Sequence, residues 1–208
     1  MKTIATAVAA AIFATSASAA TLSHDADDFT GTKTPAFGTL ADPVATFFID
    51  QGVDYSWGNV EGVFADGAEG ALCGINGSNS CDLVTDVDGR IVVAGTTTQG
   101  LTSSIIVEAG YAAAGSLTLS VFDVNMNLIT SAVNGSPAGP NGRQTMSIDL
   151  SGSNDIAFWS VSGADSYGVN YVEIGTPVSV GAVPLPAGLP LIATGMAAFA
   201  VARRRNKA

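Results

Sequence analysis

Short runs of alternating apolar and polar residues, separated by turn-forming clusters, constrain this chain more than any other feature. In SLTLSVFD, Leu117, Leu119 and Val121 fall on one face, and hydroxyl side chains fall on the other. A period of two is typical of a half-buried β-strand, whereas a helix repeats its apolar residues every three or four positions. The run therefore predicts a strand with one face toward a core.

Two later runs predict further strands. QTMSIDL alternates through Met146, Ile148 and Leu150, which indicates another half-buried strand. DIAFWSVS is apolar on both faces and carries Phe158 and Trp159. A strand of that kind is covered on both sides, so we expect it at the centre of a sheet.

Turn-forming clusters separate the candidate strands. VNMN is expected to be a hairpin turn before LITSAV, and residues 23–43 are polar and irregular enough to drape over the sheets. Other candidates are ATFFID, GRIVVAG, SSIIVEAG and GVNYVEIG, the last with Val172 and Ile174 inward. Strands and turns at this spacing predict an all-β fold, an antiparallel β-sandwich or jelly roll.

The N-terminus has the layout of a secretory signal peptide. A short positive region and the apolar residues 4–14 are followed by small residues, with Ala17 and Ala19 forming an A-x-A cleavage site. The alternative is an N-terminal helix of the folded domain, which the Ala/Thr/Ser-rich composition disfavours. We expect residues 1–19 to be removed during Sec-type export.

Charge is distributed very unevenly along the chain. It has 8 Lys+Arg and 18 Asp+Glu residues, and all of the acids lie between the terminal segments. Only Lys33, Arg90 and Arg143 lie there with them, so three cations against 18 acids leave a net charge of −15. Such a surface repels nucleic acid and anionic lipid headgroups. We therefore expect no nucleic-acid partner.

The segment between the two ends is expected to be one domain. It is rich in Gly, Ser, Thr, Val and Ala and poor in Lys, which is typical of an extracellular β-protein. About 160 residues can bury one sizeable core. The predicted ectodomain is residues 20–182.

The two cysteines, Cys73 and Cys81, enclose the small-residue loop GINGSNS. In an oxidising compartment this short spacing predicts a disulfide that pins a surface loop. A metal site or a reactive thiol is the alternative, but no histidine lies nearby in the sequence to complete a zinc site.

No catalytic arrangement stands out. The only histidine, His24, lies a few residues after the predicted cleavage site, in a segment expected to be loose. A Ser-His-Asp or Cys-His site needs an imidazole fixed beside a nucleophile. A glycoside hydrolase needs only two carboxylates, and 18 acids do not exclude such a pair. We expect a protein that is not an enzyme.

Calcium is the one cofactor for which the sequence offers candidate ligands. DLVTDVDGR places Asp82, Asp86 and Asp88 close together, and DVNMN alternates carboxylate and amide side chains. Such oxygen ligands suit Ca²⁺. An EF-hand register fails, however, because its first and twelfth positions would be Val84 and Gly95. Asp and Asn are also ordinary turn formers, so we expect no cofactor and keep a structural calcium ion as the alternative.

The last 26 residues form a further unit. An apolar, uncharged stretch at residues 185–202 would span about 27 Å as a helix, which is enough to cross a bilayer core. The arginines after it would stay in the cytoplasm by the positive-inside rule. The unit comprises the pentapeptide Val183, Pro184, Leu185, Pro186 and Ala187, a predicted transmembrane helix, and the basic stop Arg203, Arg204 and Arg205.

Residues 183–208 resemble the VPLPA-CTERM variant of the PEP-CTERM sorting tail, found on secreted proteins of Gram-negative bacteria that carry an exosortase. The resemblance implies that this membrane-embedded cysteine transpeptidase recognises the pentapeptide, cleaves near it and releases or transfers the ectodomain. A removable hydrophobic tail works in the same way in GPI-type signals. The stretches LTLSVFDVNMNLIT and GVNYVEIG also resemble β-sandwich ectodomains of such proteins.

Together these features predict an exported, non-enzymatic protein. Its precursor would be tethered to the inner membrane with a periplasmic ectodomain, and the processed form would reach the cell surface or the medium. We expect a component of extracellular matrix or biofilm, with polysaccharide as a candidate partner. The alternative is a carbohydrate-binding module, with or without calcium. A glycan-active hydrolase is a third and less favoured alternative. The aromatic candidates for stacking on sugars are Tyr55, Trp57, Tyr167 and Tyr171.

Overall fold

The structure, a computed structural model, describes residues 20–33, 42–57, 63–66, 70–74, 86–110, 116–135, 143–163 and 167–181. The predicted signal peptide and the predicted transmembrane helix lie outside these ranges. Within them, no helix is both long enough and apolar enough to cross a membrane.

Antiparallel strands dominate the described residues. The strands are β1 (Thr21–Asp25), β2 (Val53–Asp54), β3 (Val63–Asp66), β4 (Ala71–Gly74), β5 (Val87–Ile91), β6 (Gly100–Leu101), β7 (Ser104–Gly110), β8 (Leu117–Phe122), β9 (Leu128–Val133), β10 (Arg143–Asp149), β11 (Phe158–Gly163), β12 (Gly168–Gly175) and β13 (Val178–Ser179). Two 3₁₀ helices of three residues each, Ala26–Asp28 and Ile49–Gln51, are the only helices in these ranges. The prediction of an all-β antiparallel fold is confirmed.

The strands form two large sheets and one small one. The six-stranded sheet has the order β10-β7-β12-β4-β3, with β1 also paired to β12. The five-stranded sheet has the order β2-β5-β11-β8-β9, and β13 pairs with β6. Along one edge of β12, β4 pairs at Val169 and β1 pairs from Tyr171 to Gly175. Two strands distant in sequence therefore share one edge.

A single apolar cluster receives side chains from both large sheets. Val107 and Val172 come from the six-stranded sheet, and Leu119, Trp159 and Val161 come from the five-stranded sheet. All five are almost completely buried. Each large sheet therefore has an inner face toward this cluster and an outer face away from it.

Most of the predicted strands are found, with the predicted faces inward. The alternating residues of β8 and β12 bury the expected side chains, and so do Met146 and Ile148 of β10. Leu150 follows the end of β10 and packs partly against the core. β11 lies between β5 and β8, and both Phe158 and Trp159 are buried, as expected of a central strand.

Two predictions are wrong. ATFFID is not a strand, because residues 45–48 form a turn that leads into the 3₁₀ helix Ile49–Gln51. Its apolar residues serve packing: Phe48 is buried and stacks on His24 with the ring centroids 4.2 Å apart. Short apolar runs do not distinguish a strand from other buried segments by periodicity alone.

The segment from residue 23 is also more regular than predicted. Ser23 to Asp25 belong to β1, which pairs with β12 in register, His24 opposite Val172. The inner-face positions of β1 are Leu22 and His24. A histidine at a core position hid the alternation, because the pattern was sought in apolar residues.

Candidate functional site

The outer face of the five-stranded sheet carries aromatic, hydroxyl and charged side chains. Residues of β5, β11 and β8 alternate between buried and half-buried, and the half-buried ones face away from the apolar cluster. Strand pairing places them in rows that run across the sheet, because directly opposite residues share a face. Two kinds of row lie side by side.

The first row, called here the aromatic row, runs through directly paired positions of all five strands. Its members, in order from β2 to β9, are Asp54, Arg90, Phe158, Phe122 and Leu128. Four steps between neighbouring strands make this row about 19 Å long. Its last side chain, Leu128, is 59% exposed on the edge strand.

Trp57 extends the aromatic row out of the sheet plane. Its ring lies over Phe158, with the ring centroids 4.3 Å apart and the planes tilted by 32°. Phe158 is only 8% exposed, although it faces away from the core cluster, and Trp57 is half-buried. The indole therefore covers Phe158, whose directly paired neighbour on β8 is Phe122.

Asp54 holds the segment that carries Trp57. Its Oδ1 accepts hydrogen bonds from the backbone N of Ser56 at 2.9 Å and from the Ser56 hydroxyl at 2.6 Å. Its Oδ2 pairs with Nη2 of Arg90. Burial by itself would raise the pKa of Asp54, but the hydrogen bonds from Ser56 and Arg90, together with the charge of Arg90, outweigh it, and this pKa lies below its ordinary value. The carboxylate is therefore ionised and anchored on two sides.

The next rows along the strands carry hydroxyl groups and are called here the hydroxyl rows. One runs from Asp88 through Ser160 and Ser120 to Ser131, and the other contains Ser162 and Thr118. The Ser160 hydroxyl donates to Asp88. Successive rows on one face are two residues apart, or roughly 6.7 Å.

Carboxylates border the hydroxyl rows at one end. Burial raises the pKa of Asp88, and the hydrogen bond from Ser160 partly opposes that shift. Burial and the charge of Asp88 raise the pKa of Asp86. Burial, followed by the charges of both aspartates, raises the pKa of Tyr167, whose hydroxyl donates to the Val161 carbonyl at 2.8 Å.

Of the aromatic residues predicted to meet a ligand, only some are accessible. Tyr55 is 1% exposed and Tyr167 is 5% exposed, so both belong to the core. Tyr171 is half-buried on the outer face of the six-stranded sheet, and its hydroxyl donates to Glu173 at 2.8 Å. Trp57 alone joins an outer aromatic row. Sequence reasoning did not select Phe122, although it alternates with the inward Leu119 and Val121.

His24 is a core residue. Its Nε2 lies 2.7 Å from the Tyr55 hydroxyl, its ring stacks on Phe48, and its Nδ1 is buried without a hydrogen-bond partner. Burial lowers its pKa to about 4, with a smaller opposing contribution from Asp28. The imidazole is therefore neutral near pH 7. The Tyr55 hydroxyl beside Nε2 is not an activated nucleophile, because burial raises the pKa of that phenol well above its usual range.

The candidate calcium ligands are divided. Asp82 lies outside the described residues, and Asp86 and Asp88 are the two carboxylates beside Tyr167. In DVNMN, Asp123 accepts hydrogen bonds from the backbone N of Asn125 at 2.8 Å and of Asn127 at 2.9 Å, which is a turn role. Within the described ranges, no three His, Cys, Asp or Glu side chains come together in a group suited to a metal ion.

The other predicted site residues are mostly beyond the described ranges. Cys73 lies in β4 and is buried, and no cysteine in the described part of the chain is free. Cys81 lies outside that part, so pairing between the two cysteines stays a prediction. Outside it as well are the predicted cleavage residues Ala17 and Ala19, the pentapeptide at 183–187 and the arginines at 203–205.

The described residues also line two surface cavities. One, of about 370 Å³, lies against Phe29, Asp42 and Phe47, and the other, of about 320 Å³, lies against Asp123, Ile129 and Asp155. Their carboxylates have local roles: Asp42 accepts from the backbone N of Thr32, and Asp155 pairs with Ser153. The first cavity also has rings beside hydroxyls, since the ring centroids of Phe29 and Phe47 are 5.1 Å apart and Thr30 and Thr46 line it. Its two rings meet edge to face, however, and do not form a row across paired strands.

No family model matches this chain, and a search of curated proteins also finds no match.

Proposed function

We propose that this chain is an exported, non-enzymatic β-sandwich protein of the extracellular polysaccharide matrix, sorted through its C-terminal tail. Support for export comes from the layout of residues 1–19 and from the acidic ectodomain. Support for a sandwich comes from two antiparallel sheets that contribute to one apolar cluster. The tail at residues 183–208 supports sorting by an exosortase-type enzyme.

The proposed route has two membrane stages. Sec-type export leaves the precursor tethered to the inner membrane by the C-terminal helix, with the ectodomain in the periplasm. The sorting enzyme then acts near Val183 to Ala187, and the ectodomain continues to the cell surface or the medium. A disulfide between Cys73 and Cys81 would form on the way, since this compartment is oxidising.

The observation that carries a binding role is the outer face of the five-stranded sheet. An aromatic row beside hydroxyl rows offers ring stacking and hydrogen bonding together. This arrangement favours the carbohydrate-binding alternative over a protein that only fills space in a matrix. The proposed function is therefore a matrix protein that holds polysaccharide without cleaving it.

Sorting is tested by the intact mass of the extracellular protein from cells with and without the sorting enzyme. We expect loss of the residues after the pentapeptide only when the enzyme is present. A Pro184→Ala, Pro186→Ala double variant should stay unprocessed, whereas an Ala182→Ser control just upstream should be processed normally. Recovery of the complete tail from both kinds of cell would refute processing.

The disulfide and the binding role have separate tests. Two free thiols in the secreted protein, measured by mass after alkylation without reduction, would refute the pair. Binding is screened on a glycan array with calcium present and with a chelator present. Retention under both conditions supports calcium-independent binding, and the absence of any signal would leave no support for a polysaccharide partner.

A further inference from the structure

We propose that the outer face of the five-stranded sheet is the glycan site, that its ligand is a neutral polysaccharide chain, and that Asp54 positions Trp57 as the stacking platform. This inference rests on the proposed extracellular binding role and adds the site and the chemical class of the ligand. The outer face of the six-stranded sheet takes no part.

The chemistry of a sugar ring matches two adjacent kinds of row. A pyranose has a C–H face that packs against aromatic rings and an edge of hydroxyl groups that donate and accept hydrogen bonds. Trp57 and Phe122 offer rings, and Ser160, Ser120 and Ser131 offer hydroxyls roughly 6.7 Å away along the strands. A chain lying across the strands can therefore contact both rows at once.

Charge selects a neutral ligand. The one cation in the aromatic row, Arg90, is already paired with Asp54, and Asp88 adds a carboxylate beside the hydroxyl rows. With a net charge of −15 between the terminal segments, the ectodomain repels polyanions at long range. An acidic polysaccharide, a nucleic acid or an anionic membrane is therefore disfavoured.

The composition of the face also disfavours a protein partner. Serine and aspartate are depleted at protein–protein interfaces relative to the rest of the surface. This face places Ser120 and Ser160 on its central strands, with Ser131 at one end of the same row and Asp88 at the other. Hydroxyls at such positions suit a ligand that is itself covered with hydroxyls.

Asp54 acts through Trp57 rather than on the ligand. It is 1% exposed, and its hydrogen bonds to Ser56 fix the backbone one residue before Trp57. Arg90, which lies next to Phe158 across the sheet, holds the other carboxylate oxygen. The network therefore connects the Trp57 segment to the strand pair that carries Phe158.

The test measures retention of the complete secreted ectodomain in native gels containing either a neutral β-glucan or the polyanion alginate. We expect wild-type protein to be retarded by the glucan and not by alginate. Trp57→Ala should weaken glucan binding about tenfold, a loss that corresponds to about 1.4 kcal/mol and lies within the range of one aromatic contact. Tyr171→Ala, on the other sheet, should bind like wild type.

A second variant avoids the aromatic packing. Ser131 is exposed on β9, so Ser131→Glu adds a charge to a hydroxyl row without touching the core, and it should reduce glucan binding several-fold. Ser147→Glu is the matched control, since Ser147 is exposed on β10 of the six-stranded sheet and lies opposite Ile106. Unchanged binding in both Trp57→Ala and Ser131→Glu would overturn the site, even if the glycan array is positive. Retardation by alginate alone would overturn the neutral class.

The positioning role of Asp54 has its own readout. Asp54→Asn should weaken glucan binding less than Trp57→Ala and should increase acrylamide quenching of tryptophan fluorescence. Trp159 is fully buried, so added quenching reports on Trp57. Weaker binding with unchanged quenching would show that Asp54 does not position the ring. Failure of the binding site leaves tail processing untouched, so the two proposals fail separately.

Discussion

The two outer faces of this molecule are built by the same alternation but differ in their aromatic and charged groups. On the five-stranded sheet, rings and hydroxyls lie beside the Asp54–Arg90 ion pair and the carboxylate of Asp88. On the six-stranded sheet, one row contains Thr145, Glu108, Tyr171 and Asp25, and the next contains Ser147, Ile106, Glu173 and Ser23. Those two rows hold three carboxylates and no cation.

This difference shows that the inner residues build the fold, whereas the outer residues determine what each face can contact. The inner residues of both sheets are interchangeable in kind, mostly Val, Leu and Ile. The outer residues do not have to pack in the core, so their side chains can differ according to whether the face meets water or a ligand. A predominantly acidic face stays hydrated and keeps other polyanions away, whereas a ring-bearing face has apolar surface from which a ligand can displace water.

Beneath the five-stranded outer face, Gly89 is needed because a Cβ there would lie 2.4 Å from ring atoms of Trp159. Gly89→Ala should therefore destabilise the protein by about 3 kcal/mol, since a buried indole on a central strand has little room to shift. Urea unfolding measures the loss. Gly135→Ala is the control, because nothing lies within 4 Å of its added carbon. Equal stability of the two variants would contradict this packing.

Beneath the six-stranded outer face, His24 makes stability depend on pH. Its folded pKa of about 4 lies below the ordinary 6.5, so the unfolded chain binds the proton first as the pH falls. Stability should therefore drop by about 3 kcal/mol between pH 7 and pH 4 from this residue alone. His24→Gln should lose that part of the slope. The measurement is urea unfolding at several pH values, and parallel curves for the two proteins would argue against a buried neutral imidazole.

On the five-stranded face, Arg90→Gln leaves the buried carboxylate of Asp54 without its cation. We expect a loss of about 2 kcal/mol, because removing one partner of a buried pair strands the other charge. Lys33→Gln breaks the pair with the exposed Asp27 and should cause no measurable loss. Thermal unfolding measures the stability of both variants. If Arg90→Gln were as stable as the wild type, Asp54 would be more hydrated than its burial indicates.

On the six-stranded face, Glu108→Gln removes one of the clustered carboxylates. Stability should rise by about 0.3–0.5 kcal/mol at low salt, since like charges near one another across strands are unfavourable. The gain should vanish in 1 M NaCl, where charges more than about 3 Å apart are screened. Chemical unfolding at both salt concentrations tests it. A gain that persists in high salt would indicate a packing effect instead.

The fold was largely predictable because apolar alternation reports inner faces directly. Leu117, Leu119 and Val121 identified β8, and the doubly apolar β11 identified a central strand. The failures have physical causes. His24 fills a core position with a polar ring, and Phe48 packs from a turn rather than a strand.

The candidate site was much less predictable, because its rows exist only after strands are paired in register. Phe122 and Phe158 are 36 positions apart in sequence and become direct neighbours through β8 and β11. Trp57 was selected as an aromatic residue, but so were Tyr55 and Tyr167, which are buried. Composition alone does not separate a ring that packs from a ring that meets solvent.

The edge of β12 that β1 and β4 share has a consequence for the order of folding. β1 is the first described strand, yet Thr21 pairs with Gly175, and the Ala20 carbonyl accepts a hydrogen bond from the backbone N of Thr176 at 2.9 Å. Closing so long a loop is entropically costly and slow, and no shorter fragment can complete the sheet. The six-stranded sheet is therefore complete only once β12 is available, and until then β1 has no partner strand in this sheet.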